Sequence, residues 1–166
     1  MIAYKVLETD GTGRLSGFRW PLPGADPGAW VDADVVPCRS GVHALRPVDL
    51  PYWLGPAIFE IELDGSVEEV GHKIVGPRGR LVRQVVEWND DAKNAFSALC
   101  IDRARELASA GPATLGDWVN SSVETGPILL GYIAERIAEE AGGAAAARAE
   151  RELQARWLAE RLDLRG

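Results

Sequence analysis

The sequence predicts an α+β fold: an N-terminal, mainly antiparallel β-sheet with irregular loops, followed by a C-terminal helical region. Two observations carry that prediction. Up to about Trp88, short alternating runs are separated by Gly, Pro and Asp clusters, whereas from Asn89 onward Ala, Glu and Arg rise and apolar residues recur at helical spacing. In addition, 166 residues with 46% hydrophobic and 26% charged content suit one folded unit able to bury its own core. The seam divides the chain into a β-rich core domain, residues 1–88, and a helical region, residues 89–166, expected to pack on the sheet with its last helix free to project.

Taken in order, Ile2, Tyr4 and Val6 alternate with Ala3 and Lys5, as in a half-buried strand, and the GTGRLSG run supplies a turn. Phe18 to Trp20 starts a second strand. WPLPGADPGAW, with three prolines and two glycines, is an ordered loop, and Val31 to Val36 resumes as an edge strand. In Ala57 to Leu63, Ala57, Phe59, Ile61 and Leu63 point one way and Glu60 and Glu62 the other, which predicts one wet face. After Asp64-Gly65, Val67 to Val75 alternates again. GPRG at 76–79 then reads as a turn before Arg80 to Trp88, giving an antiparallel meander.

Asn89, Asp90 or Asp91 caps a helix to about Ser109, with Ala92, Ala95, Phe96, Leu99 and Leu107 largely on one face laid across the sheet. Gly111-Pro112 ends it. Thr125-Gly126-Pro127 opens the next helix, and Gly142-Gly143 breaks that one. The last helix, about residues 144–164, aligns Ala146, Ala149, Leu153, Trp157 and Leu164 on a narrow stripe that suits docking on its own chain or on a second copy.

Charge and composition exclude several functions. The net charge of −7 divides into −4 over residues 1–90 and −3 over 91–166, so neither half has the footprint of a general nucleic-acid binder. No run approaches the roughly 20 apolar residues of a membrane helix. The opening residues resemble a strand, not a signal peptide, so the expected compartment is the cytoplasm, with Cys38 and Cys100 as thiols. Neither a P-loop nor a strand-anchored dinucleotide fingerprint occurs. Cys38-x4-His43 lacks the paired spacing of a zinc site, so no metal is expected.

The candidate chemistry centres on His43, because Gly41 leaves backbone room, Ser40 offers a hydroxyl, and an imidazole moves protons near neutral pH. The competing expectation is a core histidine bonded to a main-chain carbonyl. Cys38 has positive neighbours in Arg39 and His43 that favour a thiolate, but no third orienting residue is evident. Tyr52 and Trp53 offer aromatic stacking, or simply core anchoring. His72, Lys73, Arg78, Arg80 and Arg83 form a basic cluster that suits a phosphate or nucleotide, or a solvated strand edge. Glu60, Glu62 and Glu87 are the carboxylates placed to join a cleft.

Tyr4-Lys5, Gly17-Phe18, Cys38-x-Ser40-Gly41-Val42-His43-Ala44, Phe59-Glu60-Ile61-Glu62, Lys73-Ile74 and Arg80-Leu81-Val82-Arg83 together resemble a group of small bacterial and phage proteins without an established activity. That resemblance covers about the first half of the chain. A more distant similarity is to ADP-ribosyltransferase-like folds. It implies a nicotinamide-nucleotide cleft with NAD as cofactor, in which His43 bonds the ribose, Tyr52 stacks and Glu87 stabilises an oxocarbenium-like centre. The sequence lacks a complete His-Tyr-Glu or Arg-Ser-Glu set.

The expectation is therefore a cytoplasmic ligand- or protein-binding domain. The alternatives are a nucleotide-handling transferase with His43 and Glu87 as catalytic residues and Ser40, Gly41, Tyr52, Trp53, Arg80 and Arg83 at the cofactor, or an assembly protein dimerising through its last helix. A transferase requires His43, an aromatic ring and a carboxylate to converge on one cleft.

Overall fold

The computed structural model describes residues 1–36, 39–109 and 126–165, and it has the α+β order of an N-terminal antiparallel sheet region followed by helices. The expected thiol of Cys38, the Gly111-Pro112 stop and the Thr125 cap lie outside the described residues. Two sheets form. One has the order β1 (Ile2–Leu7), β4 (Ala57–Asp64), β7 (Arg78–Gln84), β2 (Val31–Asp32); the other has β3 (Val42–Ala44), β6 (Ile74–Gly76), β5 (Glu68–Glu69). All these pairings are antiparallel.

The two sheets share one apolar layer. Ala57, Phe59, Ile61 and Leu63 of β4 pack with Ala3 and Leu7 of β1, Val42 and Ala44 of β3, Ile74 of β6, Leu81 of β7 and Trp20. On the opposite side of β4, Ile58 joins Tyr4, Val85 and the helices in a second core. The strand is thus covered on both sides, which corrects the expected wet face: Glu60 is only 4% exposed and is held by Arg83 Nε at 2.7 Å. The strict period of two located the apolar side but said nothing of what covers the other.

Two turn assignments also change. The strand expected over Val67 to Val75 is interrupted by a turn closed by Val70 N–H donating to Lys73 O at 2.9 Å, with Gly71 at φ +57°. GPRG is no turn: β6 and β7 are separated by Pro77 alone, a single bent strand that serves both sheets. Proline lacks the N–H a ladder needs, so the break between the sheets falls there, while its carbonyl still accepts Ala33 N–H at 2.8 Å.

The helix α1 (Asp90–Ser109) begins where Asn89 Oδ1 accepts Ala92 N–H at 3.0 Å, a side-chain cap on an otherwise orphaned donor. It buries a row at every fourth position: Ala92, Phe96, Cys100, Ala104 and Ala108. Of the face read from the sequence, Ala95 is exposed, while Leu99 and Leu107 pack at the margin.

The helix α2 (Pro127–Arg161) is broken at Gly143, whose φ +73° and ψ −173° no other residue adopts without strain. Residues 131 and 154 would stand about 34 Å apart on a straight helix. Gln154 Nε2 nevertheless donates to Gly131 O at 3.1 Å, so segments 127–142 and 144–161 are antiparallel arms of a hairpin. The second arm lies against α1, the first arm and the 3₁₀ turn Pro47–Tyr52. Its buried side is Ala147, Glu150, Arg151, Gln154, Ala155 and Leu158, not the expected stripe. Ala149 is exposed, and Leu153, Trp157 and Leu164 are half-buried at its edge. Tyr4 closes the fold by donating to Arg165 O at 2.9 Å and accepting Arg165 N–H at 2.6 Å.

A cationic lip between the two sheets

His43 is the middle residue of β3, opposite Val75 of β6, with Val42 and Ala44 turned into the shared apolar layer. Gly41 delivers it. Its φ of +122° is open to glycine, and a Cβ there would meet Val75 Cγ2 at 2.5 Å. The imidazole is half-buried, and its Nε2 is sealed from solvent without a hydrogen-bond partner.

Lys5 stands beside it. By parity it shares the inward side of β1 with Ala3 and Leu7, and it lies opposite Phe59. A bridge between Tyr4 and Leu45 joins β1 to the β3 segment; next along, Lys5 Nζ donates to His43 O at 2.5 Å. The amine therefore sits against the β3 main chain. It also lies 4.5 Å from the Trp20 ring centroid, a cation–π distance. Burial pushes its pKa down to about 8.

The third basic group is Lys73, whose Nζ lies 5.5 Å from the Trp53 ring centroid. Trp53 is held by its indole N–H, which donates to His72 O at 2.8 Å. Burial, then Lys73, then Lys5 lower the His43 pKa, with the Gly41 main chain opposing them. Among the described residues neither lysine has an ion-pair partner. The result is a small cationic lip with indole walls, at one edge of an acidic protein.

The other expected site residues sort into distinct settings. Ser40 clips its own loop, its hydroxyl donating to Asp34 O at 2.6 Å. Tyr52 stacks on His72, with centroids 3.8 Å apart and planes within 10°, and also carries the Arg151 guanidinium at 4.6 Å. The nearby Asp49 is buried and held by Arg46 at 2.7 and 3.3 Å. Arg80 pairs with Glu62 at 2.7 Å and lies 4.5 Å from the Trp30 ring centroid. Arg83 binds Glu60 at 2.7 Å and Glu87 at 3.5 Å.

The structure thus gathers His43 with Lys73 and Trp53, and places Tyr52 with His72. Arg80 and Arg83 instead make cross-strand ion pairs with Glu62 and Glu60, and Glu87 pairs with Arg83 four residues earlier on its own segment. The basic cluster read from Val70 to Val86 is divided, because Asp32, Glu62, Glu60 and Glu87 each reach one of its arginines. Lys5 was missed as a site residue, although an inward-parity lysine between Ala3 and Leu7 was a signal available in the alternation.

Cys100 is a buried thiol, its pKa pushed up to about 12 by burial and then by Glu150, which makes it a poor nucleophile. No helix among the described residues is long and apolar enough to cross a membrane, and no cluster of three or more metal-ligating side chains occurs among them. No family model, curated protein or solved structure matches the chain. The fold and the lip themselves are therefore the basis for a functional reading.

Proposed function

We propose that the chain is a binding domain for a small anionic molecule, taken at the lip formed by Lys5, His43 and Lys73 between Trp20 and Trp53. The observation that carries this reading is the His43 ring: its Nε2 has no partner, and both charges that act on it are ammonium groups. An unpartnered buried polar atom costs about 1–3 kcal/mol. A carboxylate or phosphate entering beside it favours the protonated ring, accepts the Nε2–H that protonation creates, and offsets the two ammonium charges.

A transferase acting through His43 and Glu87 is less well supported, because Arg83 already engages Glu87. NAD and nucleotides remain ligands of the proposed type through their phosphates. The thiol of Cys100, buried and unpaired, suits a cytoplasmic protein.

Thermal unfolding at low ionic strength tests the reading. A ligand that binds only the folded state stabilises it by RT ln(1 + L/Kd) at free concentration L, so Tm rises with the logarithm of ligand concentration once it exceeds Kd. Inorganic phosphate, citrate, ADP-ribose and NAD are the probes, with sodium chloride as the ionic-strength control. We expect a concentration-dependent rise with at least one of them that Lys73→Ala abolishes. An unchanged Tm with all four, or a rise that sodium chloride reproduces, would contradict the proposal.

A further inference from the structure

Resting on the anion-site reading, we infer that Lys5 is a nucleophilic amine and that the ligand it meets carries an aldehyde or ketone beside its negative charge. The geometry sets this lysine apart. By strand parity it shares the side of β1 that carries Ala3 and Leu7, opposite Phe59 and beside Trp20, and among the described residues its one hydrogen-bond partner is a neutral acceptor, His43 O at 2.5 Å. No carboxylate pairs with it among the described residues. By contrast Lys93 has a carboxylate partner, Asp90, at 3.6 Å. A main-chain carbonyl accepts a proton from an ammonium and from a neutral amine alike, so it fixes the nitrogen without holding the charge.

The burial that brings Lys5 to about 8 leaves a substantial share of free amine at neutral pH. An ordinary lysine, at about 10.4, has far less. In the reaction the Nζ lone pair attacks the carbonyl carbon and forms the C–N bond. The carbonyl oxygen leaves as water with both hydrogens of the amine, giving an imine. Nothing is oxidised or reduced, and hydrolysis reverses the step. The lip then has a division of labour: Lys73 and His43 hold the anionic group while Lys5 meets the carbonyl.

The full chain offers a clean test because its three lysines are Lys5, Lys73 and Lys93. Pyridoxal 5′-phosphate, an anionic aldehyde, and glyceraldehyde, a neutral one, are each added near pH 7.5. Borohydride then fixes the imines for peptide mapping. We expect Lys5 to label about tenfold faster than Lys93 with both aldehydes, the free-amine advantage being partly offset by lower intrinsic nucleophilicity. Inorganic phosphate should slow the pyridoxal phosphate reaction alone. The variant Lys5→Arg, which keeps a donor and a charge, should lose the fast label and retain its fold by circular dichroism.

Labelling of Lys5 no faster than Lys93 by both aldehydes would overturn the inference, leaving the phosphate-dependent Tm to judge the anion site separately. Fast labelling of Lys5 that phosphate fails to slow would keep the nucleophile and overturn the anion-site reading. An unchanged fast label in Lys5→Arg would also overturn the inference, since it would then arise from another amine.

Discussion

Lys5 couples the fold to the site through one atom, and its titration gives that coupling a sign. Its folded value is about 8, against about 10.4 in an unfolded chain. Between those values the unfolded state binds more protons, so this group makes stability rise with pH across that window. Relative to Lys5→Met, the wild type should gain on the order of 2–3 kcal/mol between pH 7.5 and 10.5, read by urea unfolding of both proteins. Cys100 acts in the opposite sense: its thiol rises to about 12, so stability is lost as pH climbs past the unfolded thiol value. Replacing it by Ser should reduce the alkaline loss by about 1–2 kcal/mol at pH 10. At this scale the sequence was informative about residue type more than partner. His43 beside a glycine bend was legible, since only a glycine admits the φ at position 41. The partners Lys5 and Trp20 were not, because they come from segments far away in sequence.

At the scale of elements, α1 was readable because its cap and its period agree. Asn89→Ala should cost about 1 kcal/mol, measured by thermal or urea unfolding. The hairpin in α2 depends on two glycines for different reasons. At Gly131 an added Cβ would lie 3.2 Å from Gln154 Oε1 and 3.4 Å from both an Arg151 nitrogen and Phe96. At Gly143 the backbone itself is the obstacle, so Gly143→Ala should destabilise by about 1–3 kcal/mol despite alanine's better helix propensity. The opposite result, a more stable protein, would mean that the arms can straighten. The break was visible in Gly142-Gly143, but the buried face of the second arm was not. A hydrophobic stripe cannot reveal an interface in which Glu150, Arg151 and Gln154 are buried beside Ala155 and Leu158. Likewise GPRG has turn composition, yet tertiary pairing on both sides of Pro77 keeps the strand going.

Across the whole molecule, that polar interface joins α1, both arms of α2 and the 3₁₀ turn Pro47–Tyr52, beside the apolar core where the helices meet the sheet. Arg103 Nε donates to Glu150 Oε2 at 3.1 Å, and Gln154 Nε2 donates to Glu150 Oε1 at 3.1 Å. Arg151 donates to Gln154 at 3.0 Å, to Glu135 at 2.8 Å and to Pro51 O at 2.8 Å. One guanidinium therefore ties both arms of α2 to the 3₁₀ turn that carries Tyr52. Removing one member strands the others in a dry setting, so Arg151→Met should cost about 3–5 kcal/mol and lower Tm accordingly.

The lip depends on this joint only indirectly, through Tyr52, His72 and Trp53, and ligand binding can be read without disturbing it. The chain contains two histidines, so the nitrogen resonances of both imidazoles can be followed by NMR while inorganic phosphate is titrated at constant ionic strength. The His43 ring should shift saturably and its pKa should rise as phosphate occupies the lip, with the His72 resonances little affected. A His43 ring indifferent to phosphate, or a response confined to His72, would contradict the proposed anion site.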